Sequence, residues 1–131
     1  GNKTVLSGVP DALPALIKAH RIQDKARNVG FDWEERSQVW EKVKEEIDEV
    51  QTEMASKNHD ALEAEFGDLL FSIVNAARLY GIEPDTALER TNKKFTKRFN
   101  YLEQKAKEQG KNVKELTLEE MDALWEEAKK S

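Results

Sequence analysis

The sequence contains no cysteine, which excludes thiolate metal sites, cysteine nucleophiles and disulfides and fits a reducing compartment. Proline and glycine are scarce, at 3 and 6 in 131 residues, so long stretches run without a backbone break. Histidine occurs only as His20 and His59, too far apart in sequence to read as a paired ligand motif. No apolar run is long enough to span a bilayer, and no signal-like segment is present, so the expected setting is cytoplasmic and away from membranes. Charge of one sign is lacking too: 21 basic against 26 acidic residues leaves −5, which argues against a broad basic surface for nucleic acid.

What remains is a highly charged chain, 36% Asp, Glu, Lys and Arg, with apolar residues recurring near a 3.6-residue period. This predicts an all-α fold, a bundle of about five helices, in one domain over residues 1–131. The opening Gly1-Asn2, without Met, reads as a residue of cloning or as a domain cut from a longer chain. Residues 1–10 are expected to be irregular. Asp11 then caps a first helix with Pro14 in its opening turn, and Leu16, Ala19, Gln23, Ala26 and Val29 trace one face up to Gly30. His20 reads as a packed or surface imidazole. Asp32 followed by Glu35 resembles a capping box ahead of a long helix that settles in near Ser37. Further helices follow over 60–80, over 84–109 with Pro84 at its first position, and over 118–130 behind a Thr117–Glu120 capping box.

Two stretches organise the chain: KVKEEIDEVQTE, residues 42–53, and EAEFGDLLF, residues 63–71. Each holds carboxylates three apart, Glu46 with Glu49 and Glu65 with Asp68, and residues at that spacing share a helix face. With Glu46 at zero and about 100° per residue, Val39, Val43, Ile47, Val50 and Met54 fall at about 20–100°, a stripe expected to be buried. Lys42, Glu49 and Glu53 lie just beyond its edge. With Glu65 at zero, Leu62, Leu69, Ile73, Ala76 and Tyr80 form the matching stripe at about 20–80°, and Asp68 sits at about −60°. A carboxylate beside a core is costly unless paired, protonated or metal-bound. On two packed antiparallel helices the four oxygen donors would suit a hard divalent cation, Mg²⁺ first. One such motif alone usually marks a solvated face; two bordering core stripes favour metal.

The second carboxylate helix is apolar on most sides (Phe66, Leu69, Leu70, Phe71, Ile73, Val74), which points to a homodimer. Phe31 and Trp33, in a loop, read first as plugs of the bundle end and second as a stacking platform for a base. Residues 84–109 carry an apolar stripe of Leu88, Thr91, Phe95, Phe99, Leu102 and Ala106. The same element holds Lys93, Lys94, Lys97 and Arg98, with Asn92 nearby. That cluster is a solvated basic face or, beside a metal site, a clamp for phosphate oxygens, with Arg98 as fork and Lys94 as point charge. The last helix takes its apolar side from Leu118, Met121, Leu124 and Trp125, with Trp125 either a packing anchor or a substrate contact.

The run GFDW, KVKEEIDEV, EFGDLLF and NKKFTKRF, in that order, resembles the MazG family of nucleoside triphosphate pyrophosphohydrolases, an all-α superfamily. The likeness covers nearly the whole chain, and the opening SGVPDALPALIKAHRIQDKARNVGFDW is similar to the start of the C-terminal domain of two-domain members. The family's EExxE…ExxD signature falls on Glu45, Glu46, Glu49, Glu65 and Asp68. The resemblance implies Mg²⁺ held by Glu46, Glu49, Glu65 and Asp68, and a triphosphate held by Lys42, Lys94 and Arg98. It further implies a nucleotide contact from Trp125. Phe31, Trp33, Asn92, Glu45, Glu46 and Asp68 are also expected within the substrate's reach. Glu49 is the expected base, and the implied reaction is NTP + H₂O → NMP + pyrophosphate. Ala61 and Ala64 depart from the pattern, standing where similar proteins often have polar side chains.

Three other readings compete. One is a catalytically idle helical dimerisation or nucleotide-binding module. Another is a relative restricted to dUTP/dCTP or phosphoribosyl-ATP. The third, a di-iron bundle, is weakened by the absence of a Glu-x-x-His motif from both carboxylate segments.

Overall fold

In the computed structural model, which describes residues 4–131, the order is α1 (Ala15–Asn28), α2 (Gln38–Met54), α3 (His59–Leu79), α4 (Pro84–Glu108), a short 3₁₀ turn (Val113–Glu115) and α5 (Leu118–Ala128). There is no strand among the described residues, and the expected all-α class holds. The chain separates into two compact units, Gly1–Asp85 and Thr86–Ser131.

In the first unit α2 and α3 form an antiparallel hairpin around Val39, Val43 and Ala76, with Leu69 and Leu79 packed against them. The turn between them is set by Asn58, whose side chain accepts from the Ala61 N–H and caps α3. At the far end Trp40 donates from Nε1 to the Tyr80 hydroxyl at 3.1 Å, tying the start of α2 to the end of α3. Helix α1 lies against α3, where buried Gln23 donates to the Phe71 carbonyl at 2.9 Å. At the end of α1, Gly30 takes φ +97°, and the Gly30 and Phe31 amides return to the Arg27 and Ala26 carbonyls. That is the Schellman closure expected of a glycine at this place.

Several local expectations are corrected. Asp11 does not cap α1; the helix starts at Ala15 with Pro14 at the N-cap and no side-chain cap bond. Pro14 thus precedes the first turn, and its missing N–H costs nothing there. The Asp32–Glu35 segment is not helical, because the Asp32 carboxylate is engaged by Arg78, Arg27 and the Trp33 N–H. Phe31 does not plug the bundle end, being 81% exposed. The stripes are buried over only part of their length: Val39, Val43, Val50 and Ala76 are, but Ile47, Met54, Ile73 and Tyr80 are exposed. The irregular reading of 1–10 holds over 4–10, while Gly1 and Asn2 lie outside the described residues.

In the second unit, Leu102 and Ala106 of α4 pack with Leu116 and Leu124, and Val113 and Met121 close the cluster. Thr117 Oγ1 accepts from the Glu120 N–H and Glu120 Oε1 accepts in turn from the Thr117 N–H, the capping box read from sequence. Leu88, Phe95, Phe99 and Leu118, expected on apolar stripes, are exposed instead.

Candidate metal centre

Facing sides of the α2–α3 hairpin bring Glu46, Glu65 and Asp68 together, with one oxygen from each lying within 4.8 Å of the others. The order of burial is instructive: Glu46 is 6% exposed, Glu65 is half-buried and Asp68 is exposed, so the group opens from the core toward solvent. Helical spacing places Glu46 between Val43 and Val50, both buried, which draws its carboxylate inward. Lys42, one turn earlier, compensates it at 2.9 Å from Nζ to Oε1 and also lies 3.7 Å from Glu45. The hydrogen bond that Lys42 donates to the Glu46 carboxylate holds the lysine's pKa above its ordinary value.

Glu65 carries the electrostatic strain of the group. Its pKa is raised, first by its loss of solvent and then by the charges of Glu49, Asp68, Glu46 and Glu53. Glu49 therefore acts on the centre through its charge, while its carboxylate lies outside the three-oxygen cluster. Three carboxylate oxygens converging on one small volume, with no imidazole or thiolate, are a donor set for a hard cation. Such a cation would relieve the repulsion that raises the Glu65 pKa, so the residues present fit a divalent metal.

The remaining candidates belong to the loop and to the second unit. Phe31 is solvent-exposed and Trp33 is 38% exposed, with the Trp33 N–H bonded to Asp32 Oδ1 at 2.8 Å. Within the second unit, the Arg98 guanidinium lies 5.9 Å over the Trp125 ring, and Phe95 meets the same indole at 5.0 Å. Arg98 is half-buried, whereas Lys94 and Asn92 are exposed on α4. Phe95 was legible in sequence only as a stripe residue; its contact with Trp125 makes it part of an aromatic and cationic face. The Asp32–Arg78 pair was not anticipated at all, though an arginine inside the run Ala77-Arg78-Leu79 is the signal for a buried guanidinium that needs acidic partners.

Residues 34–102 match the MazG nucleotide pyrophosphohydrolase domain. The chain is 44% identical over 117 residues to the Nucleoside triphosphate pyrophosphohydrolase/pyrophosphatase MazG of Thermotoga maritima, covering 89% of this chain and 45% of that protein. It is 41% identical over 129 residues to the Nucleoside triphosphate pyrophosphohydrolase of Escherichia coli K12, covering 97% of this chain and 49% of that one. Against the uncharacterized protein YabN of Bacillus subtilis the identity is 52% over 129 residues, 98% of this chain but 26% of YabN. The chain thus spans about half the length, or less, of the curated relatives it matches. With the signature carboxylates gathered on one helical hairpin and the domain match running through both, the chain belongs to the MazG family.

Proposed function

We propose that the chain is a Mg²⁺-dependent pyrophosphohydrolase that converts a nucleoside triphosphate to the monophosphate and pyrophosphate through attack of water at the α-phosphorus. The observation that carries this reading is the convergence of Glu46, Glu65 and Asp68 within 4.8 Å on a MazG-family hairpin. Two relatives whose names state nucleoside triphosphate pyrophosphohydrolase activity support it. Glu46, Glu65 and Asp68 would hold the cation, with Glu49 as a further ligand. When bound, Mg²⁺ neutralises phosphate charge and makes water a better nucleophile at neutral pH.

The protein's own groups do the rest. Glu49, exposed and close enough to perturb Glu65, takes the proton from the attacking water as general base. Breaking the α–β anhydride moves charge onto the departing pyrophosphate, and Lys42, Lys94 and Arg98 stabilise it. Arg98 offers a planar fork and the lysines compact charges. Trp125, Phe31, Trp33 and Asn92 contact the nucleoside, and Glu45 and Asp68 border the phosphates. The active form is a homodimer in the cytoplasm, its contact formed by the exposed apolar side of α3 at Phe66, Leu70, Phe71 and Ile73. The whole of residues 1–131 acts as one catalytic domain.

The test is pyrophosphate release from a panel of NTPs and dNTPs, with Mg²⁺ and with EDTA. Equal amounts of monophosphate and pyrophosphate that vanish with EDTA, and with Glu46→Gln or Asp68→Asn, are the expected result. A folded protein that is silent across the panel would instead be an idle dimerisation or binding module, and the reading would fail.

A further inference from the structure

A second concentration of charge lies at the other end of the hairpin, and it is basic. The end of α1, the loop before α2 and the end of α3 enclose a pocket of about 510 Å³ bordered by Arg27, Asp32, Arg36, Arg78, Tyr80 and Gly81. Three guanidinium groups face one carboxylate there, a balance of +3 − 1 = +2 among the lining side chains. Asp24, 3.9 Å from Arg78, lowers the wider balance to +1.

Each arginine retains unused donor capacity. Arg78 has a side chain only 6% exposed and is held in place by Asn75 Oδ1, at 3.1 Å from Nε and 2.7 Å from Nη2, and by Asp32 Oδ1 at 3.0 Å. Its Nη1 approaches Asp24 only to 3.9 Å, beyond hydrogen-bond length. Arg27 meets Asp32 through Nε at 3.3 Å, which leaves its two terminal nitrogens to project. Arg36 has no carboxylate partner among the described residues and lies 5.6 Å over the Tyr80 ring. Guanidinium forks with spare N–H groups recognise phosphate oxygens, and here Arg78 is the fixed one while Arg27 and Arg36 are exposed and free to close on a ligand. The volume matches the range of small-molecule sites. The Asp32 carboxyl agrees with a positive local field. Loss of solvent alone would raise its pKa, yet bonds from Arg78 and the Trp33 N–H and the charges of both arginines bring it below the ordinary value.

We propose that this arginine pocket is a second anion site, separate from the carboxylate centre, that takes the phosphate group of a small phosphorylated molecule. Asp68 and Arg78 are ten residues apart on α3, which is about 15 Å of helix. The two sites therefore share one rigid element without sharing ligands. A phosphate bound at the arginines would exploit all three forks, with Leu79, Tyr80 and Gly81 as further walls.

The test is calorimetric titration of inorganic pyrophosphate into the protein in EDTA, where no divalent cation can bridge an anion to the carboxylates. Saturable one-to-one binding is expected for the wild type and equally for Glu46→Gln. A double variant, Arg27→Ala with Arg36→Ala, leaves the Arg78–Asp32 tie in place and should bind at least about tenfold more weakly with unchanged far-UV circular dichroism. Absence of saturation in the wild type at millimolar pyrophosphate would overturn the proposal. So would unchanged affinity in the double variant, or loss of binding in Glu46→Gln. In turnover assays the double variant should keep its nucleotide KM within about twofold. A tenfold rise would make the pocket part of the substrate site and overturn the claim of separateness. None of the binding outcomes depends on hydrolysis, so failure of the pyrophosphohydrolase reading and failure of this one are told apart.

Discussion

Lys42 Nζ sits 2.9 Å from Oε1 of Glu46, so the most buried carboxylate of the candidate metal centre is neutralised by a lysine one helical turn away. A buried carboxylate without a partner is costly, and this lysine stabilises the centre before any cation arrives. Lys42→Met removes that compensation. The metal-free variant should lose about 1 kcal/mol of stability, the low end for a broken pair because Lys42 is 40% exposed. Millimolar Mg²⁺ should restore most of the loss, since the cation takes over the neutralisation. Thermal melts of both proteins with EDTA and with Mg²⁺ would show it, and an equal deficit in both conditions would argue that Lys42 acts elsewhere.

Glu65 poses the opposite case, a carboxylate opposed by its neighbours. Its raised pKa means the folded state binds the proton more tightly than the unfolded chain does. Ionising Glu65 therefore destabilises the metal-free fold, and the penalty sets in as pH rises from the ordinary glutamate value through the raised one. Glu65→Gln should melt higher than wild type in EDTA at pH 7, and the advantage should shrink toward pH 4. In Mg²⁺ the order should reverse, because the variant has lost a ligand.

Much of this architecture was legible in the sequence because its signals are local and periodic. The five helices, the glycine closing α1, the Pro84 start and the Thr117–Glu120 box each follow from a few neighbouring residues. The carboxylate centre was legible because i, i+3 spacing fixes which side chains share a face. The misses have non-local causes. Asp32 looked like a helix cap, but its carboxylate is claimed by Arg78, 46 residues on in sequence. Ile47, Met54 and Ile73 looked buried, since an angular stripe says where apolar side chains point and not whether another element covers them. Gln23 shows the same limit from the other side. It was placed on the α1 stripe but not as the residue that donates to the Phe71 carbonyl.

Gly30 offers a test of the closure that leads from α1 into the aromatic loop. A Cβ there would meet nothing within 4 Å, so Gly30→Ala adds no clash, but the backbone holds φ +97°. The cost is therefore purely conformational, about 1–2 kcal/mol. The variant should lower the melting temperature while leaving Mg²⁺-dependent stabilisation intact, since the carboxylates lie on α2 and α3. A loss of the metal response would mean that the α1 closure also governs the hairpin.

Asp32 gives a pH-dependent prediction with a definite sign. Its folded pKa lies below the ordinary value of 3.8, so the folded state releases the proton more readily than the unfolded chain. The stabilisation is present in full above the unfolded value and disappears as pH falls through the folded one. Asp32→Asn retains an oxygen for the Trp33 N–H but loses the charge that faces Arg78 at 3.0 Å and Arg27 at 3.3 Å. The variant should be less stable than wild type by about 1–3 kcal/mol near neutral pH, because it leaves the nearly buried Arg78 guanidinium short of its carboxylate. Urea unfolding followed from pH 7 downward should show the gap between the two proteins narrowing as pH falls below 3.8, where the wild-type stabilisation begins to be lost. A constant gap across that range would assign the loss to packing rather than to charge. Trp33 follows directly after Asp32 and reports on the same loop, so its fluorescence should shift in the variant at pH 7, and the difference from wild type should shrink as pH falls below 3.8.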